Sequence, residues 1–259
     1  MSTKPTAPGD ATEVARRLGL PRVEWLEDVG STLDVAHALA ADGAESGTLV
    51  LADAQTAGRG RMGRTWASEP RAGLWLTLIE RPRDVSALDV LSLRVGLALA
   101  PVLDAFTDTP VRVKWPNDLY VGARKLAGIL IEARWRSGRP DWVALGVGIN
   151  VRPPAAEVLA AGLRDGTDRM AVLDAVVPAI RRAASISGPL GERELAAFAS
   201  RDLARGQRCT SPMIGTVAGI DSSGALLIDI GSGGTGSSDG TGAHMVAIRT
   251  GSLVLTEDR

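Results

Sequence analysis

The sequence predicts an α/β protein, α+β in its ordering: a mixed sheet carrying helices on one face, followed by a small β-barrel-like unit. Two patterns point there. Apolar strand-like runs alternate with helix-period stripes from residue 23 to about residue 203. From about Gly206 only short β-rich runs remain. At 259 residues the chain can hold one large and one small domain with ample core. The expected division is a short extension over 1–22, a main domain over 23–204 and a small domain over 205–259.

Residues 12–18 read as a short helix after a frayed start. Val23-Glu24-Trp25-Leu26 reads as a strand. Ser31 and Asp34 then have capping-box spacing, with Asp in place of Glu or Gln. Leu33, Ala36, Leu39 and Ala40 give the apolar stripe of the helix that follows, and Gly43 ends it. Residues 48–51 and 74–79 are buried strands, and 88–106 reads as one long helix. The strand at 111–114 runs into Trp115-Pro116-Asn117-Asp118, where Pro116 interrupts regular pairing or marks an edge. Residues 119–121 and 126–133 form a hairpin around Gly122. Residues 142–149 are a further strand ending at Asn150, and 170–186 and 192–203 are helices. In the tail, 215–220, 225–230 and 245–248 are short strands, with a turn at Asp221-Ser222-Ser223-Gly224. Residues 231–243, almost entirely Gly, Ser, Thr and Asp, read as a flexible hairpin loop or linker.

Composition narrows the function. The formal net charge is −1, so no whole-chain field attracts nucleic acid. One cysteine, Cys209, and two histidines, His37 and His244, argue against a disulfide framework or a Cys- or His-rich metal centre, and no metal site is expected. No apolar run approaches a membrane span and the polar start is no signal peptide, so the expectation is a cytoplasmic protein without membrane or DNA partners.

Against that neutral background, Gly58-Arg59-Gly60-Arg61-Met62-Gly63-Arg64-Thr65-Trp66 stands out. A glycine-rich run offering backbone N–H groups and guanidinium forks suits a phosphate or a carboxylate. Alone it also fits a solvated basic loop or a short RNA-binding run. Three further polar patches close strongly apolar strands: Ser31-Thr32, Lys114–Asp118 with Lys125, and Gly146-Val147-Gly148-Ile149-Asn150. A sheet whose strand ends carry such groups can gather them in one pocket.

Together these patches resemble the biotin–protein ligases. The resemblance is carried by Ser31-Thr32; Gln55-Thr56-Ala57-Gly58-Arg59-Gly60-Arg61 with Gly63, Arg64 and Trp66; Lys114-Trp115-Pro116-Asn117-Asp118; Lys125-Leu126-Ala127-Gly128-Ile129-Leu130-Ile131-Glu132; and Gly146, Gly148 and Asn150, in family order. It implies a biotin/lipoate ligase-like catalytic domain and a C-terminal SH3-like barrel. It also implies a two-step reaction in which biotin and MgATP give biotinyl-5′-AMP and the acyl group passes to one lysine of a biotin carboxyl carrier domain. The implied biotin site is Ser31, Thr32, Gln55, Gly58, Arg59, Gly60, Arg61 and Lys125. The implied nucleotide site is Arg59, Arg61, Arg64, Trp66, Lys114, Asn117, Lys125 and Asn150, and the catalytic groups are Lys125, Arg61 and Asp118. Asp118 either orients the incoming lysine or helps hold Mg2+. Trp66 closes over the adenylate or anchors its loop, Lys114 adds charge or is structural, and Asn150 touches the nucleotide or ends its strand. Leu33 stands where the family often has Asn, and no Walker loop is present. With only about twenty residues before the first strand, the expectation is the ligase type without a DNA-binding domain, monomeric or homodimeric. The rival readings are a lipoate or octanoate ligase or transferase of the same fold, and a nucleic-acid-binding regulator.

Overall fold

The computed structural model describes residues 10–82, 84–155, 157–231 and 244–256. The first nine residues of the expected extension, and the expected Gly/Ser-rich loop from residue 232 to 243, lie outside the described residues.

Helix α1 (Ala11–Leu18) starts at Asp10, whose carboxylate accepts from the Thr12 N–H at 2.9 Å. Strand β1 (Val23–Val29), helix α2 (Thr32–Ala41), β2 (Thr48–Gln55) and β3 (Gly73–Glu80) follow. Then come α3 (Leu91–Leu103), β4 (Arg112–Lys114), β5 (Asp118–Val121), β6 (Arg124–Arg136), β7 (Arg139–Asn150), α4 (Arg169–Ala184) and α5 (Glu192–Arg201). The single helix expected over 88–106 is α3 with a tighter 3-10 turn at each end, Leu88–Val90 and Asp104–Phe106. The second turn starts at Asp104, whose carboxylate accepts from the Val111 N–H at 2.7 Å and pairs with Arg201.

Seven strands form one mixed sheet in the order β1-β2-β3-β7-β6-β5-β4. Strands β1 and β2 pair parallel; every other neighbouring pair is antiparallel. Pro116 falls in the turn between β4, an edge strand, and β5. Strand alternation assigns the two faces. Leu74, Leu76 and Leu78 of β3 and Val143, Leu145, Val147 and Ile149 of β7 pack into the large core with α1, α3 and α4, the face on which helices were expected. Helix α2 is the exception and packs on the opposite face, against Val50, Ile79 and Ala144. On that face the residues of β7 shrink from Ala144 to Gly146 to Gly148. Beyond the end of α2 the sheet is therefore left without side chains to fill the space above it.

The tail forms a second, five-stranded antiparallel sheet: β8 (Arg208–Ser211), β9 (Gly215–Ile220), β10 (Leu226–Asp229), β11 (Met245–Ile248) and β12 (Val254–Leu255), in the order β11-β10-β9-β8-β12. Strands β8 and β12 escape sequence reading because one is polar and the other two residues long. Val217, Leu226 and Ile228 share the core of α3 and α4, and the Trp115 indole donates to the Gly224 carbonyl at 2.9 Å. Among the described residues no helix is long and apolar enough to cross a membrane.

Buried Arg94 of α3 pairs with Glu194 at 2.6 Å and donates to the carbonyls of Ile186, Gly188 and Pro189, so one guanidinium closes the α4–α5 turn. Asp202, just after α5, is the opposite case. It is 2% exposed; one carboxylate oxygen accepts from the Ala204 N–H at 2.8 Å and the other has no partner. Burial pushes this carboxyl above its ordinary value, more than the Ala204 N–H and Arg112 pull it back. A carboxyl raised by folding contributes stability below its unfolded value and loses it as pH rises through the folded one. Asp202→Asn keeps the acceptor and removes the buried charge. It is expected to raise stability by about 1 kcal/mol at neutral pH, with the advantage shrinking towards pH 4. Denaturant midpoints at both pH values check this, and an advantage independent of pH would contradict it.

Candidate active site

The open space above β7 is a cleft of about 350 Å3. Its inner end is polar but neutral. Thr77 of β3 donates to Thr32 Oγ1 at 2.9 Å. Gln55 Oε1 accepts from the Thr32 N–H at 2.9 Å and from Thr32 Oγ1 at 3.1 Å. Gln55 Nε2 donates to Ser68 Oγ at 2.8 Å, and Ser68 in turn donates to the Trp66 carbonyl at 3.3 Å. Gln55 thus satisfies a free N–H at the start of α2. The capping box expected from Ser31 and Asp34 is not formed: Ser31 has the extended backbone of an N-cap but makes no side-chain cap bond. Its hydroxyl is buried on the cleft wall with no protein partner.

The glycine-rich run is a short hairpin. The Gly60 N–H donates to the Arg64 carbonyl at 2.7 Å and the Trp66 N–H to the Gly58 carbonyl at 2.9 Å. These backbone groups, expected to face an anion, are therefore used internally. A 3-10 turn, Arg61–Gly63, forms the tip. Gly58 does not line the cleft; a Cβ there would lie 2.5 Å from the Trp66 carbonyl and 2.9 Å from Ser68 Oγ, so its role is to let the hairpin close. Trp66 lies on the sheet, where a Cβ at Gly148 would be 2.7 Å from its indole nitrogen and one at Gly128 2.9 Å from Cζ3.

Each arginine of the hairpin has its own partner. Arg59 reaches Asp34 at 3.1 Å and Glu132 at 3.3 Å. Glu132 is held by His37 Nε2 at 2.8 Å, and the Trp142 indole meets His37 Nδ1 at 2.9 Å. An indole N–H only donates, so Nδ1 accepts and the ring hydrogen sits on Nε2, aimed at Glu132. Arg64 meets Ser252, whose hydroxyl also contacts Met62 Sδ at 3.4 Å, so the loop joining β11 and β12 touches the hairpin tip. Arg61 donates to Asn117 Oδ1 at 3.2 Å. Burial lowers the Arg61 guanidinium below its ordinary value; Asp118 acts against this and Arg64 with it. A cation that has given up water gains from an incoming anion.

Opposite Arg61, Lys125 Nζ lies 2.8 Å from Asp118 Oδ1 and 5.1 Å above the Trp66 ring. Asn117 is fixed to β6, its Nδ2 donating to the Ile129 carbonyl at 2.8 Å and its carbonyl accepting from the Ile129 N–H at 3.0 Å. Lys114 is buried, with Nζ 5.3 Å above the Tyr120 ring.

Of the residues anticipated from sequence, Ser31, Thr32, Gln55, Arg59, Gly60, Arg61, Arg64, Trp66, Lys114, Asn117, Asp118 and Lys125 line this one cleft. Gly58 and Asn150 do not. Asn150 is 3% exposed and stands behind Lys125, with Nδ2 3.4 Å from the Lys125 carbonyl. Leu33, anticipated as a departure, lines the cleft as an apolar wall beside Gly146. Ser252 was not anticipated: it is 186 residues from Trp66, outside any motif. His37 and Trp142 could have been suspected only from the rarity of histidine in the chain.

The sequence pattern of the biotin/lipoate A/B protein ligase family matches residues 28–150. The biotin–[acetyl-CoA-carboxylase] ligase of Mycobacterium tuberculosis is 35% identical over 239 residues, covering 82% of this chain and 85% of its own length. The chain belongs to this family. The bifunctional ligase/repressor BirA of Bacillus subtilis is 37% identical over 151 residues, 56% of this chain and 46% of that protein, so the match spans about half of that longer relative. Among solved structures, the biotin protein ligase of Aquifex aeolicus in complex with biotin and ATP superposes with a TM-score of 0.72 at 27% identity, covering 91% of this chain and 99% of that one. The ligase of Leishmania major in complex with biotinyl-5-AMP superposes with a TM-score of 0.58 at 25% identity, covering 81% and 95%. The mixed sheet and the antiparallel tail thus match the fold of this family.

A side chain at position 148 would collide with Trp66. Gly148→Ala is expected to lift Trp66 off the sheet at a cost of about 1–3 kcal/mol, speeding amide exchange across residues 58–66 by about tenfold or more. Unchanged exchange would show that Trp66 does not hold the hairpin down.

Proposed function

We propose that the chain is an ATP-dependent biotin–protein ligase that forms biotinyl-5′-AMP and transfers biotin to a lysine of a biotin carboxyl carrier domain, in the cytoplasm where ATP is at hand. One observation carries this reading: a neutral, hydrogen-bonding inner end built from Ser31, Thr32 and Gln55, joined to a cationic mouth built from Arg61 and Lys125. That order suits a ligand with a cyclic urea at one end and a carboxylate at the other. A dithiolane ring, as in lipoate, offers no hydrogen bond to the buried Ser31 hydroxyl, and leaving such a group unmet is costly.

In the first step a carboxylate oxygen attacks the α-phosphorus, an O–P bond forms, and pyrophosphate leaves with the electrons of the P–O bond it loses. Two unit negative charges about 4 Å apart repel by about 4 kcal/mol at the effective dielectric of a protein surface. Lys125, already oriented by Asp118, meets the carboxylate side, and Arg61 meets the phosphate. Magnesium would enter with the triphosphate as part of the substrate, most of its shell supplied by phosphate oxygens and water, and Asp118 is the cleft carboxylate that would add to it. In the second step the acceptor amine attacks the acyl carbon, the C–N bond forms, and the C–O bond to phosphate breaks. AMP departs with that electron pair, and in this reading Asp118 orients the amine and takes its proton. Trp66, seated on the sheet beneath Lys125, gives the site an apolar wall.

Biotin-dependent ATP–pyrophosphate exchange tests the first step. Lys125→Ala is expected to reduce it about 10²–10³-fold, the loss typical of a charge aimed at a developing anion, with the fold intact by circular dichroism. Near-parental exchange in a folded mutant would remove Lys125 from the catalytic groups. Arg61→Gly is expected to loosen the adenylate more than it blocks its synthesis. The released anhydride should then biotinylate bystander albumin, read by streptavidin blot. Synthesis without albumin labelling would show that Arg61 is not the clamp.

A further inference from the structure

A second hollow of about 230 Å3 lies beside the cleft, between the start of α3, the α3-facing side of β6 and the second sheet. Arg61, Pro116, Asn117 and Ile129 line both spaces, so the Arg61–Asn117 hydrogen bond sits on their shared wall. Taking the ligase reading as its basis, we propose that this second hollow is the passage by which the acceptor lysine of the carrier domain reaches the adenylate.

The chemistry of the walls follows the order of a lysine side chain. Leu88, Leu93, Ile131 and Ala133 offer an apolar lining for a methylene stem. Exposed Asp89 offers a carboxylate on the solvent side, and the inner end is Asn117, next to Asp118. Arg249 also lines the hollow from the second sheet, but it is exposed and its charge bears on Asp221. The main cleft is covered on the α2 side by the hairpin and by the Arg59 ion pairs to Asp34 and Glu132. A carrier domain, far larger than either small substrate, needs a route that leaves this cover closed.

The shared wall links the passage to the first step. Asn117 is fixed by two hydrogen bonds to Ile129, so Arg61 is the movable half of the pair. Arg61 is also the cation a new phosphate ester recruits. Turning towards that phosphate releases Asn117 Oδ1 and joins the two hollows once there is an acyl group to transfer.

The test separates the two half-reactions in two variants outside the catalytic groups, Asp89→Lys and Ala133→Phe. The first reverses the charge on an exposed residue; the second fills the passage. Both are expected to keep biotin-dependent ATP–pyrophosphate exchange, and hydroxamate formation with hydroxylamine, within about twofold, while transfer to a purified biotin carboxyl carrier domain falls about tenfold or more. Because Asp89 lies at the surface, Asp89→Lys decides the matter even if Ala133→Phe does not fold. Transfer within about twofold of the parent in Asp89→Lys, or exchange falling in step with transfer, overturns the passage. A parent chain without biotin-dependent exchange overturns the ligase reading itself, and the passage with it.

Discussion

The hydrogen-bond chain from Thr77 through Thr32, Gln55 and Ser68 to the Trp66 carbonyl fixes the rest of the site. It starts inside the sheet and ends on the hairpin, crossing the first residue of α2 on the way. Each bond contributes only about 1 kcal/mol net. Their joint effect is geometric: the start of α2, the end of β2 and the base of the arginine hairpin hold one arrangement. The Ser31 hydroxyl is left over, buried without a protein partner, as are the indole nitrogens of Trp66 and Trp75 on the same cleft. An unmet buried donor is costly unless a ligand meets it, and here it faces the cleft.

The sheet below supplies the complementary constraint. Alternation places the large side chains of β7 towards α3 and α4 and leaves Ala144 under α2 and Gly146 and Gly148 towards the cleft. Space for a ligand and the seat for Trp66 thus come from the same pattern. Electrostatics follow from the hairpin lying there. Its three arginines are brought together near the cleft mouth and divided among Asp34 and Glu132, Asn117, and Ser252. These contacts are partly exposed, so each is worth little in stability and can be exchanged for phosphate oxygens at small cost.

Much of this was legible in the sequence, because both strand alternation and glycine spacing are local signals. Order and type of the main elements followed from periodicity, and the polar patches at strand ends marked one cleft. What stayed hidden depends on distant parts of the chain meeting. The anticipated cap at Ser31 failed because the Asp34 N–H, from which its hydroxyl would accept, bonds the Ser31 carbonyl instead, while Gln55, from another strand, takes the Thr32 N–H. The hairpin backbone was expected to present its N–H groups, but Gly60 and Trp66 spend theirs across the turn. Asn150 and Gly58 carry the family pattern yet stand behind the cleft, where they shape Lys125 and the hairpin. No local pattern announces Ser252 or the Trp142–His37–Glu132 relay, since each gains meaning only from what it touches.

The central claim is that a buried, neutral, hydrogen-bonding end selects the ligand. Equilibrium binding of biotin and of lipoate to the same protein, by titration calorimetry without ATP, tests it most directly. The account requires saturable biotin binding and lipoate binding weaker by about 100-fold or more, with Ser31→Ala narrowing the gap from the biotin side. Equal affinity for the two acids, or a gap untouched by Ser31→Ala, would contradict it.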